Sequence, residues 1–354
     1  MRAWSELKAI IVDPLGPVLT QEERDLYARE KPAGFILFQR SCVDRAQIAA
    51  LVADLRQTVG RDDVPVLIDQ EGGSVARLRA PNFREYPPAQ AFADLYVQDK
   101  DAALRAAELN SLLMARDLAA MGITVNCAPV VDVPSPDCHQ FLSGSRTYGR
   151  DADSVSALGG AVCCGLLAGG VTPILKHIPG HGRAVVDSHL GLPVVDTPRK
   201  ELENTDFVPF QRLGMSDMKS ALWAMGAHVV YSDIDPDSAA TVSPVVTDAI
   251  VRGHMGFDGV LIADDVSMKA LAGTLAAKVR QTLEAGMDLT MLCNSTLAEK
   301  AEALAACPTV GTQAARRLDA AEAERRTRAR ADNDTAAISA ELSQLMKTTT
   351  AKSA

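Results

Sequence analysis

Eight short, almost uninterrupted apolar runs punctuate this chain, spaced widely enough for a helix between neighbours. They are 8–13 (KAIIVD), 34–38 (GFILF), 64–69 (VPVLID), 123–133 (ITVNCAPVVDV), 171–178 (VTPILKHI), 222–230 (LWAMGAHVV), 259–265 (GVLIADD) and 288–293 (DLTMLC). A strand that alternates apolar and polar residues has one wet face. A run without alternation needs cover on both faces, as in a parallel sheet flanked by helices. Segments of helical period fill most of the gaps. In 101–121, Ala102, Ala106, Leu109 and Leu113 repeat at four-three-four spacing, and Gly122 follows where a helix would end. Eight such strands with helical crossovers predict a (β/α)8 TIM barrel of the α/β class rather than an open doubly wound sheet. A length of 354 residues suits one such barrel. We expect a single catalytic domain over 1–330. From about 311 onward composition turns rich in Ala, Arg and Glu and then, toward the end, in Thr, Lys and Ser, which predicts a last barrel helix followed by a C-terminal helical extension and flexible tail over 331–354.

Bulk properties narrow the function classes. A net charge of -9 argues against nucleic acid as partner, because phosphates require a basic face. The N-terminus (MRAWSELK) has no apolar signal core and no run is long enough to span a bilayer, so a cytoplasmic protein without a membrane partner is expected. The seven cysteines are scattered and contain no C-x-x-C pair, which disfavours a zinc ribbon and fits free thiols in a reducing compartment.

Several runs end in polar groups: Asp69, Lys176 with His177, His228, Asp264 and Asn294. Barrel chemistry gathers at the C-terminal ends of strands. In 175–193 (LKHIPGHGRAVVDSHLGLP) a Gly-rich loop leads to Asp187-Ser188-His189. Residues two apart in an extended loop point the same way, so Asp187 can hold one nitrogen of His189 and leave the other to move protons. The same His and Asp residues, with His177 and His181, are also compatible with metal ligation. His181, between two glycines, is read as shaping the loop. Asp264 stands where a buried strand opens into the barrel mouth and can be a nucleophile, a metal ligand or a structural acid, whereas Asp265 is read as a loop support or N-cap. In 64–79 (VPVLIDQEGGSVARLR), Asp69 and Arg77 are candidates for sugar hydroxyls, and Glu71 for supporting them. The double glycine is not a phosphate-binding fingerprint.

Together, DQEGG (69–73), NCAPVVDV (126–133), SRTYGRD (145–151), KHIPGHG (176–182), DSH (187–189), AH (227–228), ADDVSM (263–268) and EAGMDLTMLCN (284–294) resemble glycoside hydrolase family 3. The likeness is to its single-domain bacterial β-N-acetylglucosaminidases of the NagZ type. The resemblance implies Asp264 as nucleophile, His189 as acid/base with Asp187 as its partner, and Asp69, Arg77, Arg146, Lys176 and His177 as sugar-binding groups. It further implies a retaining reaction without cofactor or metal, acting on GlcNAc-anhydroMurNAc peptides of cell-wall recycling, by a monomer or weak homodimer. A histidine acid/base leaves phosphorolysis open, since it does not repel an anionic acceptor. A metal-dependent barrel hydrolase is the alternative from another class. Two places depart from the family pattern: Ser74 follows DQEGG where Arg is expected, and RAVV (183–186) precedes DSH.

Overall fold

The computed structural model describes residues 3–140, 144–186, 191–331 and 334–351. Eight parallel strands close into a barrel: β1 (Lys8–Val12), β2 (Pro32–Leu37), β3 (Val66–Ile68), β4 (Val125–Asn126), β5 (Thr172–Ile178), β6 (Trp223–Gly226), β7 (Val260–Asp265) and β8 (Leu289–Leu292). Each pairs with its sequence neighbours, and β8 closes on β1 with Ile10 beside Thr290 and Val12 beside Leu292. All eight fall on the apolar runs of the sequence. β1, β2 and β5 are buried almost throughout, as a parallel sheet covered on both faces demands.

Helices wrap this sheet. Lys100–Ala119 starts on Asp99, whose side chain accepts from the Ala102 backbone N–H, and its end is followed by Gly122 at φ 80°. It packs closely on Ala152–Ala168, because Gly165 would put any Cβ 2.2 Å from the Glu108 carbonyl oxygen. Thr312–Arg328 follows the last strand, and a further helix, Thr335–Ala351, packs on Lys100–Ala119 through buried Ile338 and an Arg105–Glu341 ion pair of 2.7 Å. No helix among the described residues is long and apolar enough to cross a membrane. None of the seven cysteines forms a disulfide with another described residue.

Two short hairpin-like additions stand beyond the strand ends. Gln70–Gly72 pairs antiparallel with Val75–Ala76, and a small sheet joins Val194–Val195, Val230–Tyr231 and Asp235–Ala239. The first shapes one wall of the barrel mouth.

Candidate active site

A cavity of about 300 Å³ opens at the C-terminal ends of the strands, the small end of the range for ligand clefts. Its apolar floor includes Ile36, Met225 and Met291, and its wall carries Asp69, Glu71, Arg77, Arg146, Lys176, His177 and Asp264. A larger concavity of about 570 Å³ lies by the N-terminal ends of β1 and β8, among Ala9, Arg252, Asp288, Pro308 and Arg317. Its two guanidiniums are committed to Asp288, at 2.9 and 2.8 Å, so the charge available for a ligand is at the other end.

One wall of the mouth is a buried network of opposite charges. The Asp69 carboxylate accepts from Lys176 Nζ at 3.0 Å and from Arg77 Nη2 at 2.9 Å. Lys176 Nζ also lies 2.7 Å from Glu71 Oε1, and Arg146 holds Glu71 bidentately at 2.8 and 2.7 Å. Burial alone would raise both carboxylates. The Lys176 charge, with Arg77 at Asp69 and Arg146 at Glu71, outweighs it and keeps both below the usual carboxylate range. Burial pulls Lys176 down, but Glu71 and Asp69 more than offset it, so the ammonium stays protonated. Such a wall offers ionised acceptors and charged donors with fixed directions, as recognition of a polyhydroxylated ligand requires.

The backbone explains how Arg77 reaches the site. Gln70 turns inward: its Oε1 accepts from the Arg77 and Leu78 N–H groups at 2.9 and 3.0 Å, and its Nε2 donates to the Leu78 carbonyl. Asn126, at the end of β4, clamps the Gln70 backbone on both sides. Gly72 and Gly73, at φ 96° and 58°, let this hairpin press against Tyr86–Pro88, where a Cβ at Gly72 would stand 2.4 Å from the Pro87 carbonyl oxygen.

His177 also faces the cavity, with Nδ1 2.8 Å from Asp132 Oδ2. Asp132 Oδ1 accepts from the backbone N–H groups of His177 and His181 at 3.0 and 2.7 Å. Asp132 thus ties the end of β5 to the loop that follows it. Sequence reading missed this role, although the residue sits inside the NCAPVVDV motif at the end of an apolar run. Burial would raise Asp132; His177 and His181 keep it low.

His181 holds its loop through its backbone, while its buried ring has no hydrogen-bond partner on either nitrogen among the described residues. Burial first, and the neighbouring His177, push it down from 6.5 to about 4. The folded value lies below the unfolded one, so the unfolded chain binds the proton first as pH falls. The contribution is therefore intact above about 6.5 and is lost progressively toward about 4. Its full span is about 3 kcal/mol. His181→Asn is expected to flatten the fall of the urea midpoint across that window; an unchanged slope would remove His181 as its source.

Asp264, at the end of β7, has its Oδ1 bonded to the Asp265 N–H at 2.8 Å, and among the described residues Oδ2 has no hydrogen-bond partner. The Asp265 carboxylate is occupied with the Ser267 N–H and hydroxyl and the Cys293 N–H, at 2.9, 2.7 and 3.0 Å. The two adjacent acids therefore have different work, one open to the cavity and one holding loops. Asn294, another strand-end residue, accepts from Arg40 Nη1 at 2.7 Å, and Arg40 also pairs with buried Asp13.

The structure thus brings Asp69, Arg77, Arg146, Lys176, His177 and Asp264 to one cavity. Glu71, expected as a support, does hold Arg146 and Lys176 but also lines the cavity itself. Asp187 and His189 lie outside the described residues. Among the described residues no three His, Cys, Asp or Glu side chains are grouped to hold a metal ion.

Known proteins match this chain over most of its length. The pattern described as "Glycosyl hydrolase family 3 N terminal domain" matches residues 5–327. A β-hexosaminidase of Actinobacillus succinogenes is 37% identical over 290 residues, covering 81% of this chain and 81% of the relative. NagZ from Neisseria gonorrhoeae, solved in complex with N-trifluoroacetyl-D-glucosamine, superposes with a TM-score of 0.84 at 28% identity, over 96% of this chain and 98% of that one. A glycoside hydrolase family 3 β-N-acetylglucosaminidase from a Paenibacillus strain gives a TM-score of 0.81 at 26% identity, over 98% of this chain and 69% of that one.

Proposed function

The chain belongs to glycosyl hydrolase family 3 and is a β-hexosaminidase-type glycoside hydrolase, and from that premise we propose that it is a retaining exo-β-N-acetylglucosaminidase acting on GlcNAc-anhydroMurNAc peptides. The observation that carries this reading is the cavity itself: Asp264, a carboxylate with one oxygen unbonded among the described residues, faces the same space as the Asp69–Lys176–Glu71–Arg146 wall. The wall, with Arg77 and His177, holds the hydroxyls of a terminal sugar and sets its anomeric carbon against Asp264.

In the first step the Asp264 carboxylate attacks the anomeric carbon while the C–O bond to the leaving sugar breaks. His189 protonates the departing oxygen, its other nitrogen held by Asp187. In the second step neutral His189 takes a proton from water, which attacks the glycosyl–enzyme ester and releases the sugar with its original configuration. A histidine suits both steps because its ordinary pKa lies near neutrality. The N-acylglucosamine complex of the Neisseria relative supports a GlcNAc-type substrate. The muropeptide aglycone and a cytoplasmic setting rest on the motif resemblance.

The test is release of p-nitrophenol from its β-N-acetylglucosaminide, with and without EDTA. Release indifferent to EDTA is expected; release abolished by EDTA would favour a metal-dependent hydrolase. A product assay on GlcNAc-anhydroMurNAc-tripeptide should yield free GlcNAc as the β-anomer first, and a glycosyl phosphate formed only in phosphate buffer would make the enzyme a phosphorylase. His189→Ala should lose about 10²–10⁴-fold on substrates with poor leaving groups and far less on aryl glycosides that need little protonation. Equal loss on both would remove His189 from the acid role.

A further inference from the structure

We propose that His228 is a positioning residue for the reacting carboxylate, fixing Asp264 through the backbone of Asp265 and anchored in turn by Thr241. The inference rests on the reading of Asp264 as nucleophile. His228 follows β6 and is 1% exposed. Its Nε2 lies 3.1 Å from the Asp265 carbonyl oxygen and its Nδ1 2.6 Å from Thr241 Oγ1. A carbonyl can only accept, so Nε2 carries the proton and Nδ1 accepts from the Thr241 hydroxyl. Burial lowers the imidazole's pKa, which keeps it in this neutral, single-tautomer form.

The bond matters because of what Asp265 does. Its N–H is the donor on Asp264 Oδ1. Its carbonyl is held by His228, its carboxylate by the Ser267 and Cys293 N–H groups, and the next N–H, Val266, by the Met291 carbonyl at 2.9 Å. Asp265, the residue whose N–H orients Asp264, is therefore pinned at its following peptide by His228 just after β6 and by Met291 of β8, and at its carboxylate by its own following turn and by Cys293. One carboxylate oxygen of Asp264 is immobilised while its side chain lines the cavity. Gly226 completes the device: a Cβ there would lie 2.8 Å from Thr241 Cγ2, so only glycine at the end of β6 lets Thr241 seat against the strand beneath His228.

A residue that orients the nucleophile affects bond formation to the anomeric carbon whatever the leaving group, unlike an acid/base residue. The experiment is steady-state kinetics of His228→Phe, His228→Gln and Thr241→Val on aryl β-N-acetylglucosaminides with good and poor leaving groups, with melting temperatures and Asp264→Asn alongside. His228→Phe should lower kcat about 10–100-fold, equally for both leaving groups, the scale of a nucleophile displaced by a fraction of an ångström. KM should stay within about threefold, since sugar contacts remain. His228→Gln, whose amide can donate to Asp265 and accept from Thr241, should recover most of the loss. Thr241→Val should lose less alone and nothing further on top of His228→Phe. Wild-type kcat in His228→Phe overturns the proposal, as does a loss confined to poor leaving groups or a loss that Gln leaves unrescued while the melting temperature falls. If His228→Phe does not fold, Gln and Thr241→Val decide: undiminished kcat in Thr241→Val with impaired kcat in Gln overturns it. An active Asp264→Asn would instead defeat the nucleophile reading itself.

Discussion

Replacing Asp264 by Asn is expected to reduce kcat by on the order of 10⁴-fold or more, the scale seen when a covalent nucleophile is removed, with the fold intact. Asn keeps the side chain's shape, and its amide oxygen can still accept from the Asp265 N–H that now bonds Oδ1. On the proposed mechanism, what disappears is the negative charge that stabilises an oxocarbenium-like transition state and the oxygen that forms the ester. Because that bond persists, melting temperature should change little, and binding of N-acetylglucosamine, measured by calorimetry, should survive. Asp264→Ala with added azide provides a positive signal: the small anion fits the vacated space and should restore turnover, giving a glycosyl azide of inverted configuration. Wild-type rates in Asp264→Asn would take the nucleophile role away from this residue.

Lys176→Met is expected to cost about 3–5 kcal/mol of stability, the penalty typical of removing one partner from a buried charge network. Among the described residues Lys176 is the only cation paired with both carboxylates; it lies 3.0 Å from Asp69 and 2.7 Å from Glu71, and its side chain is 3% exposed. Without it each acid retains a single guanidinium, Arg77 for Asp69 and Arg146 for Glu71. Both carboxylates have folded-state values below their ordinary ones, so their contribution is present at neutral pH and lost as pH falls through the folded values. The deficit of the variant, read as a shift in urea midpoint, should therefore be largest near neutrality and shrink in acid, where protonation relieves the stranded charge. On the proposed sugar-binding role of this ammonium, KM should rise as well. A midpoint equal to that of the wild type would mean that the network contributes no net stability. Stability with lost affinity would confine Lys176 to ligand binding.

The barrel was legible in the sequence because its cause is local and repeated. Strands such as Ala9–Val12 or Phe35–Leu37 are apolar at consecutive positions, and only a parallel sheet covered on both faces buries them all. The polar strand ends were legible for the same reason: Lys176-His177 after an apolar stretch, or Asp264 after VLIA, has little reason to be there unless the strand opens onto chemistry. Asp265 as a loop support also followed from local rules, because adjacent acids on a strand end rarely serve the same task.

Other features depended on contacts across tens of residues. Nothing in the sequence ties Asp132 to His177 and His181, 45 and 49 positions away, or His228 to the Asp265 carbonyl, 37 positions away. Glu71 could be placed beside the site but not given its partners, because Arg146 arrives from a separate loop, 75 residues on. By itself the sequence determined the element order, the closed parallel sheet, and which strand ends carry polar side chains, since periodicity and burial act over a few residues. Tertiary structure decided which charges meet, which carboxylate oxygen is hydrogen-bonded and which histidine is held neutral. Those properties follow from distance and desolvation in the closed barrel, and neither is defined until the strands are in register.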